Sequence, residues 1–240
     1  MKNKTVLISG GTYGIGKGIV FQLLHNGYNV ATFSRNKKKV DSFKRELKEA
    51  RVNQSLVLLA DVRDEKQIKS VTQRVVKRFS AIDILINNAG VSYFTGVDNV
   101  DIKHFNAMLQ TNVVGIAVLT KHTVPYMKKQ RSGLIINLAS ISGKHSYALG
   151  EFYSATKFGV IGYSEGIRKE LKGFGIKVCT VCPGMVKTGF FDKKELARRK
   201  KMLGGEIPTM LEIGDISKTM AFICDQADHC DIQDITIMPF

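Results

Sequence analysis

The sequence predicts an α/β fold: one doubly wound domain over residues 1–240, with a parallel sheet of about seven strands and helices on both faces. Short apolar, β-branched runs alternate regularly with longer amphipathic stretches along the chain. Most of the short runs are almost continuously apolar, as strands are when helices cover both faces of a parallel sheet. The residues that carry chemistry follow those runs, at the carboxyl ends of strands, where doubly wound sheets hold their ligands. No repeat, low-complexity tract or linker interrupts the pattern, so a single domain is expected.

Thr5 to Ile8 reads as a buried first strand, bounded at once by glycine. Gly10, Gly14 and Gly16 follow, then a helical run with apolar Ile15, Ile19, Val20, Leu23 and Leu24, stopped by Gly27. Strand, glycine turn and helix together point bare N–H groups and a helix N-terminus at one spot, which favours an anionic phosphate. Three glycine spacings compete for that turn. G-x-G-x-x-G is absent, and Gly11 to Lys17 approaches a P-loop but is followed by Gly18, without the hydroxyl that holds Mg²⁺. The third, Gly10-x-x-x-Gly14-x-Gly16, fits a dinucleotide turn, although glycine turns also arise for structural reasons alone.

Tyr28 to Phe33 is the expected second strand, ending at Ser34-Arg35-Asn36, with a highly charged helix near Lys38 to Arg51 after it. Ser55 to Ala60 is a third strand ending at Asp61-Val62, and Asp64 with Gln67 has the spacing of a capping box opening a helix to about Phe79. Asp83 to Ile86 runs into Asn87-Asn88-Ala89-Gly90. A long helix is expected from about Asp101 to Lys129, bent by Pro125. Gly133 to Leu138 is the fifth strand, Ser140 to Gly150 a loop, and Phe152 to Phe174 a helix. Ile176 to Val181 is the sixth strand, broken by Pro183-Gly184.

Composition narrows the function. The 240 residues are 44% hydrophobic, ample for a core, and no stretch approaches the ~18 apolar residues of a membrane span. The basic N-terminus meets a glycine too early to be a signal peptide, so a cytoplasmic location and no membrane partner are expected. The net charge of +15 would allow nucleic-acid binding, but the cations are spread over most helices without a recognition motif. A solvated basic surface that concentrates anionic ligands is the expectation, with no nucleic-acid partner. Cys179-x-x-Cys182 lies in a strand-like run, and residues three apart on a strand face opposite ways. Neither metal nor redox chemistry is expected there.

Tyr153 and Lys157 stand at i and i+4 of a helix, which puts phenol and ammonium on one face. A fixed cation stabilises a phenolate and lowers the ordinary tyrosine value of ~10, which turns an inert phenol into a usable acid–base group. Ser140, closing the fifth strand, offers a hydroxyl to a carbonyl oxygen beside that phenol.

Taken with Gly10-x-x-x-Gly14-x-Gly16, Asp61, Asn87-Asn88-Ala89-Gly90, Asn112, Ser140, Tyr153-x-x-x-Lys157 and Pro183-Gly184 with Thr188, the chain resembles a short-chain dehydrogenase/reductase over almost its whole length. That resemblance implies a Rossmann-type domain and hydride transfer between a nicotinamide and a carbonyl or secondary alcohol, an EC 1.1.1 type of oxidoreductase. It implies Tyr153 as general acid and base, Ser140 orienting the substrate oxygen, Lys157 lowering the tyrosine pKa and holding the nicotinamide ribose, and Asn112 anchoring a relay water. The cofactor positions it implies are Gly10, Thr12, Tyr13, Gly14, Ile15 and Gly16 in the turn. Further along they are Asp61 and Val62 near adenine, Asn88, Ala89 and Gly90, and Pro183, Gly184, Val186 and Thr188 towards the carboxamide, with Tyr153 and Lys157 between.

Two departures stand out: Ser9 replaces the family's usual threonine, and Tyr13 stands where NADP-binding members often have a basic residue. Ser34-Arg35-Asn36 lacks the acid that would bind a ribose 2′-OH and offers a guanidinium suited to phosphate, so NADP(H) is expected over NAD(H). The segment at about 185–212, with its basic run Lys193-Lys194 and Arg198 to Lys201, is expected to cover the site. Two further readings stay open: a reductase of 3-oxoacyl thioesters on coenzyme A or a carrier protein, and a catalytically silent NADP(H) sensor. The ending, Asp234 to Phe240, looks more like members acting on small hydroxy acids. The resemblance also implies a homotetramer or dimer.

Overall fold

The computed structural model describes residues 4–189, 197, 205 and 209–240. Seven parallel strands form one sheet in the order β3-β2-β1-β4-β5-β6-β7. They are β1 (Thr5–Ser9), β2 (Asn29–Ser34), β3 (Ser55–Leu59), β4 (Ile84–Asn87), β5 (Gly133–Leu138), β6 (Ile176–Pro183) and β7 (Asp234–Ile237). Among the described residues the α-helices with defined bounds are α1 (Gly14–His25), α2 (Lys37–Glu49), α3 (Glu65–Phe79), α4 (Ile102–Leu109), α5 (Gly115–Gln130), α6 (Glu151–Leu171) and α7 (Ile213–Cys224).

Successive side chains of β1 go to opposite faces, and both faces are covered. Val6 and Ile8 pack with Ile19, Val20 and Leu23 of α1, Phe43 of α2 and Met220 of α7. Leu7 packs with Ile68 and Val75 of α3 and Leu119 of α5. That double burial explains the continuous apolar runs. β1 is hydrogen-bonded to β2 on one side and to β4 on the other, so the strand order reverses there and a crevice opens beyond the carboxyl ends.

Several boundaries differ from expectation. The long helix is not continuous: Gln110–Val114 forms a π-turn between α4 and α5. Ile141–Gly143 is a short 3₁₀ turn inside the expected loop. β6 continues to Pro183, whose missing N–H is harmless at a strand end, and Gly184 N donates to Ile237 O at 2.7 Å. Asp64 caps α3 by accepting from Gln67 N, but the Gln67 side chain accepts from Asp61 N instead of closing a capping box. The Asp61 turn and the start of α3 are thereby joined.

Candidate active site

The glycine turn leaves β1 at Gly10 with φ +72°, and Gly14 opens α1 with φ +56°, both in the region that favours glycine. A Cβ at Gly16 would collide with Gly10 O and Asn88 Nδ2, so only a hydrogen fits between the turn and the strand beside it. Tyr13 occupies the N-cap of α1 without a side-chain cap, and the first turn contains no acidic residue. Its N–H groups are therefore presented to the cleft, together with the positive end of the helix dipole.

Ser9, the departure from threonine, retains a hydroxyl that fastens this turn to the end of β4: Asn88 N and Ala89 N donate to its Oγ at 3.1 and 3.0 Å. Asn88 Nδ2 donates to Ser9 O and Gly10 O at 2.9 and 3.2 Å. Asn88 is thus a brace for the glycine turn as well as a wall of the cleft.

At the end of β2, Ser34, Arg35 and Asn36 line the same cleft. Asn36 Oδ1 is spent capping α2, accepting from Lys39 N at 3.0 Å. Asp61 lines the cleft too, and Arg63 holds its carboxylate through Nε and Nη2, at distances down to 2.6 Å. Those hydrogen bonds, chiefly from the Arg63 side chain, lower the Asp61 pKa below the usual carboxylate range.

Asn112 is the one expected site residue that does not face the cleft; it is fully buried behind it. Its side chain clasps Val91, accepting from Val91 N at 2.8 Å and donating to Val91 O at 2.9 Å, and also donates to Thr156 Oγ1 at 3.1 Å. Asn112 sits in the π-turn, where the widened winding changes which backbone carbonyls are bonded within the helix.

α6 brings Tyr153 and Lys157 to the cleft, and Ser140 comes from the end of β5. Lys157 is 5% exposed, its Nζ donating to Leu138 O at 2.9 Å and lying 5.7 Å from the Tyr153 ring centre. Burial pushes the Lys157 ammonium down from 10.5 to about 8. Ser140 Oγ donates to Ser142 Oγ at 3.2 Å and accepts from Ser142 N at 3.1 Å. Phe94 packs its ring edge against Tyr153, centroids 5.5 Å apart. Pro183, Gly184, Val186 and Thr188 complete the cleft, and Thr188 lies across from Gly14.

Every site residue expected from sequence except Asn112 lines one cleft of about 720 Å³, with Thr12, Ile15, Val62, Ala89 and Gly90 in its walls. Ser142, Tyr147 and Leu149 near the serine, and Lys39 near Arg35, line it as well and were not expected from sequence. Lys39 carried a legible signal: it stands three residues after the α2 cap, one turn into a helix that opens at the mouth of β2. Most of the expected cover, including Phe190, Lys193-Lys194 and Arg198 to Lys201, lies outside the described residues. Cys179 and Cys182 are buried in different packing clusters, with thiol pKa values pushed up by burial to about 12 and about 11. No group of three or more His, Cys, Asp or Glu among the described residues is placed to hold a metal ion.

A doubly wound parallel sheet with a glycine turn beside its switch point is the architecture of the dinucleotide-binding class. Within that class the chain belongs to the short-chain dehydrogenase family, whose model matches residues 4–199, and it is an oxidoreductase of that family. It is 33% identical to a 3-oxoacyl-[acyl-carrier-protein] reductase of Staphylococcus aureus, over 98% of this chain and 96% of that protein. It is 29% identical to an uncharacterised oxidoreductase of Staphylococcus epidermidis, over 100% of this chain and 98% of that one. Among solved structures it is similar to one described as ElxO with NADP bound, with a TM-score of 0.86, 29% identity and coverage of 99% of this chain and 98% of that one.

Proposed function

We propose that the protein is an NADP(H)-dependent oxidoreductase that interconverts a carbonyl and a secondary alcohol, with Tyr153 as its acid–base group. The observation that carries this reading is the burial of the Lys157 ammonium beside Tyr153, in the cleft that the glycine turn and Arg35 also line. The turn fits a dinucleotide: the Gly16 cradle has room only for hydrogen, and the α1 N-terminus is uncapped by any side chain. A bound nicotinamide would supply the hydride.

The chain's own residues do the rest. Ser140 hydrogen-bonds the substrate oxygen, exchanging its present partner Ser142 for the ligand. Tyr153 gives its phenolic proton to that oxygen in reduction and takes it back in oxidation. Lys157 stabilises the phenolate and holds ribose hydroxyls. Asn112, whose side chain fixes the π-turn against Val91, anchors the water through which the proton is replaced. Ser34 and Arg35 receive the 2′-phosphate, which favours NADP(H); the NADP named for the structural relative supports the same choice.

A 3-oxoacyl-thioester substrate is the second reading, favoured by the 33% identity to a reductase of that name. A silent sensor is disfavoured, because a sensor has no use for a desolvated lysine under a phenol. We further propose a cytoplasmic enzyme assembled as a homotetramer or dimer.

The test is steady-state oxidation of NADPH and NADH against ketones, aldehydes, 3-oxoacyl thioesters and 3-oxo acids. A charge-assisted hydrogen bond to the 2′-phosphate is worth roughly 1.5–3 kcal/mol, so kcat/KM should favour NADPH by about one to two decades. Ser34→Asp with Arg35→Leu should reverse the order. A wild type that prefers NADH, or a double variant that keeps NADPH, overturns the cofactor assignment.

A further inference from the structure

Around the mouth of β2 the cations sort into two groups. Lys37 is paired with Asp41 at 2.8 Å and Lys17 with Glu46 at 2.7 Å, both turned towards the flank of α2. Arg35 and Lys39 form no ion pair among the described residues, and both line the cleft. The nearby carboxylate, Asp61, lies within electrostatic reach of Arg35 but is hydrogen-bonded to Arg63. Two cations outside any described ion pair therefore line the cleft together with Ser34.

Lys39 is not left to wander there. Its Nζ sits 3.7 Å from the centre of the Tyr13 ring, close over the face, where the ring quadrupole attracts a cation. Tyr13 is fixed in turn from two sides. Its backbone is the extended N-cap of α1, with φ −157°, and its hydroxyl rests in the space that the missing side chain of Gly189 leaves open. A flexible lysine loses much rotamer freedom when it grips a ligand; holding it on a ring beforehand reduces that loss.

We propose that Lys39, seated on the Tyr13 ring, is a specificity-determining residue that binds the 2′-phosphate of NADP(H) opposite Arg35, and that Tyr13 is its positioning residue. This rests on the NADP(H) reading above. Tyr13 carries no charge, yet through Lys39 it puts an ammonium beside the glycine turn. The pair makes the turn cationic without a basic residue in the turn itself.

The experiment is isothermal calorimetry with NADPH, NADH, 2′,5′-ADP and 5′-AMP on the whole protein and four variants. Lys39→Met should weaken NADPH and 2′,5′-ADP by about tenfold or more while leaving NADH and 5′-AMP unchanged, and Lys39→Arg should restore most of the loss. Tyr13→Leu should weaken the two 2′-phosphate ligands several-fold, and Tyr13→Phe, which keeps the ring, should not. NADH affinity reports that each variant is folded. If the wild type discriminates in favour of the 2′-phosphate and Lys39→Met discriminates equally, the assignment of Lys39 is wrong while the cofactor reading stands. If Lys39→Met loses discrimination but Tyr13→Leu does not, the positioning role is wrong. A wild type that binds 2′,5′-ADP no better than 5′-AMP removes the NADP(H) reading and this inference with it.

Discussion

A phenol that ordinarily titrates near pH ~10 does proton work at neutrality only with a fixed cation beside it. Tyr153→Phe keeps the ring that packs on Phe94 and deletes only the proton. Turnover should fall by about 10²–10⁴-fold while calorimetric NADPH affinity holds; a variant within about tenfold of wild type refutes the role. Lys157 has a second, independent readout. Burial brings its ammonium down to about 8, so the folded chain sheds that proton earlier than the unfolded chain, whose lysine titrates near 10.5. Between those values the unfolded chain binds more protons, and the contribution of Lys157 to stability rises with pH; below about 8 the cost of burying its charge is paid in full. Lys157→Met should therefore be more stable than wild type at pH 7.5 by a margin that shrinks by pH 10, read from thermal melts of the cofactor-free protein. A margin that does not change with pH means the ammonium is not desolvated.

At the scale of elements, what could be read beforehand was whatever local chemistry decides. The glycine turn, the strand ends and the stop of α1 at Gly27, which has φ +82°, follow from residue types that only certain backbones accept. The π-turn at Gln110–Val114 was not legible, because nothing in QTNVV breaks a helix. Its neighbourhood is decided by Asn112 clasping Val91, 21 residues away in sequence. The same blindness to long-range partners hid the use of the Gln67 side-chain oxygen, which accepts from Asp61 N and not from the N-cap backbone, and the contact of Tyr13 with Lys39 and the space beside Gly189. Most expected site residues were nonetheless placed in one cleft, because they follow the strands' carboxyl ends or lie in the first turns of the helices that begin there, as Tyr153 and Lys157 do on α6, and the parallel topology gathers those ends. Asn112, mid-helix, is the exception.

For the whole molecule, the helices after β4 and β5 carry many apolar residues, Val114, Ile116, Val118, Phe158, Ile161 and Ile167 among them, but most of these are covered within one chain. Ile116 is buried, and Val118, Ile161 and Ile167 pack inward; Val114 and Phe158 stay exposed. The same outer face of α6 carries Gly162 and Gly166, where a Cβ would meet nothing within 4 Å. Glycine inside a helix costs roughly 0.5–1 kcal/mol relative to alanine, a cost with no return in an isolated chain. Close approach of a second copy would give one. Light scattering at micromolar concentration should show a dimer or tetramer, and Gly162→Trp should reduce the mass without lowering the helix content by circular dichroism. A wild-type monomer, or a Gly162→Trp variant of unchanged mass, excludes this face as the interface.

The pairing of β1 with β4 also sets a clock on the ribosome. Ile8 finds its neighbour Ile86 only after 78 more residues have been made, and the Ser9 hydroxyl waits as long for Asn88 and Ala89. At ~5–20 residues per second that interval is about 4–16 s. During it the glycine turn has β2 on one side and no strand on the other. The oldest part of the nascent chain thus gains its ligand-binding shape only once β4 has been made.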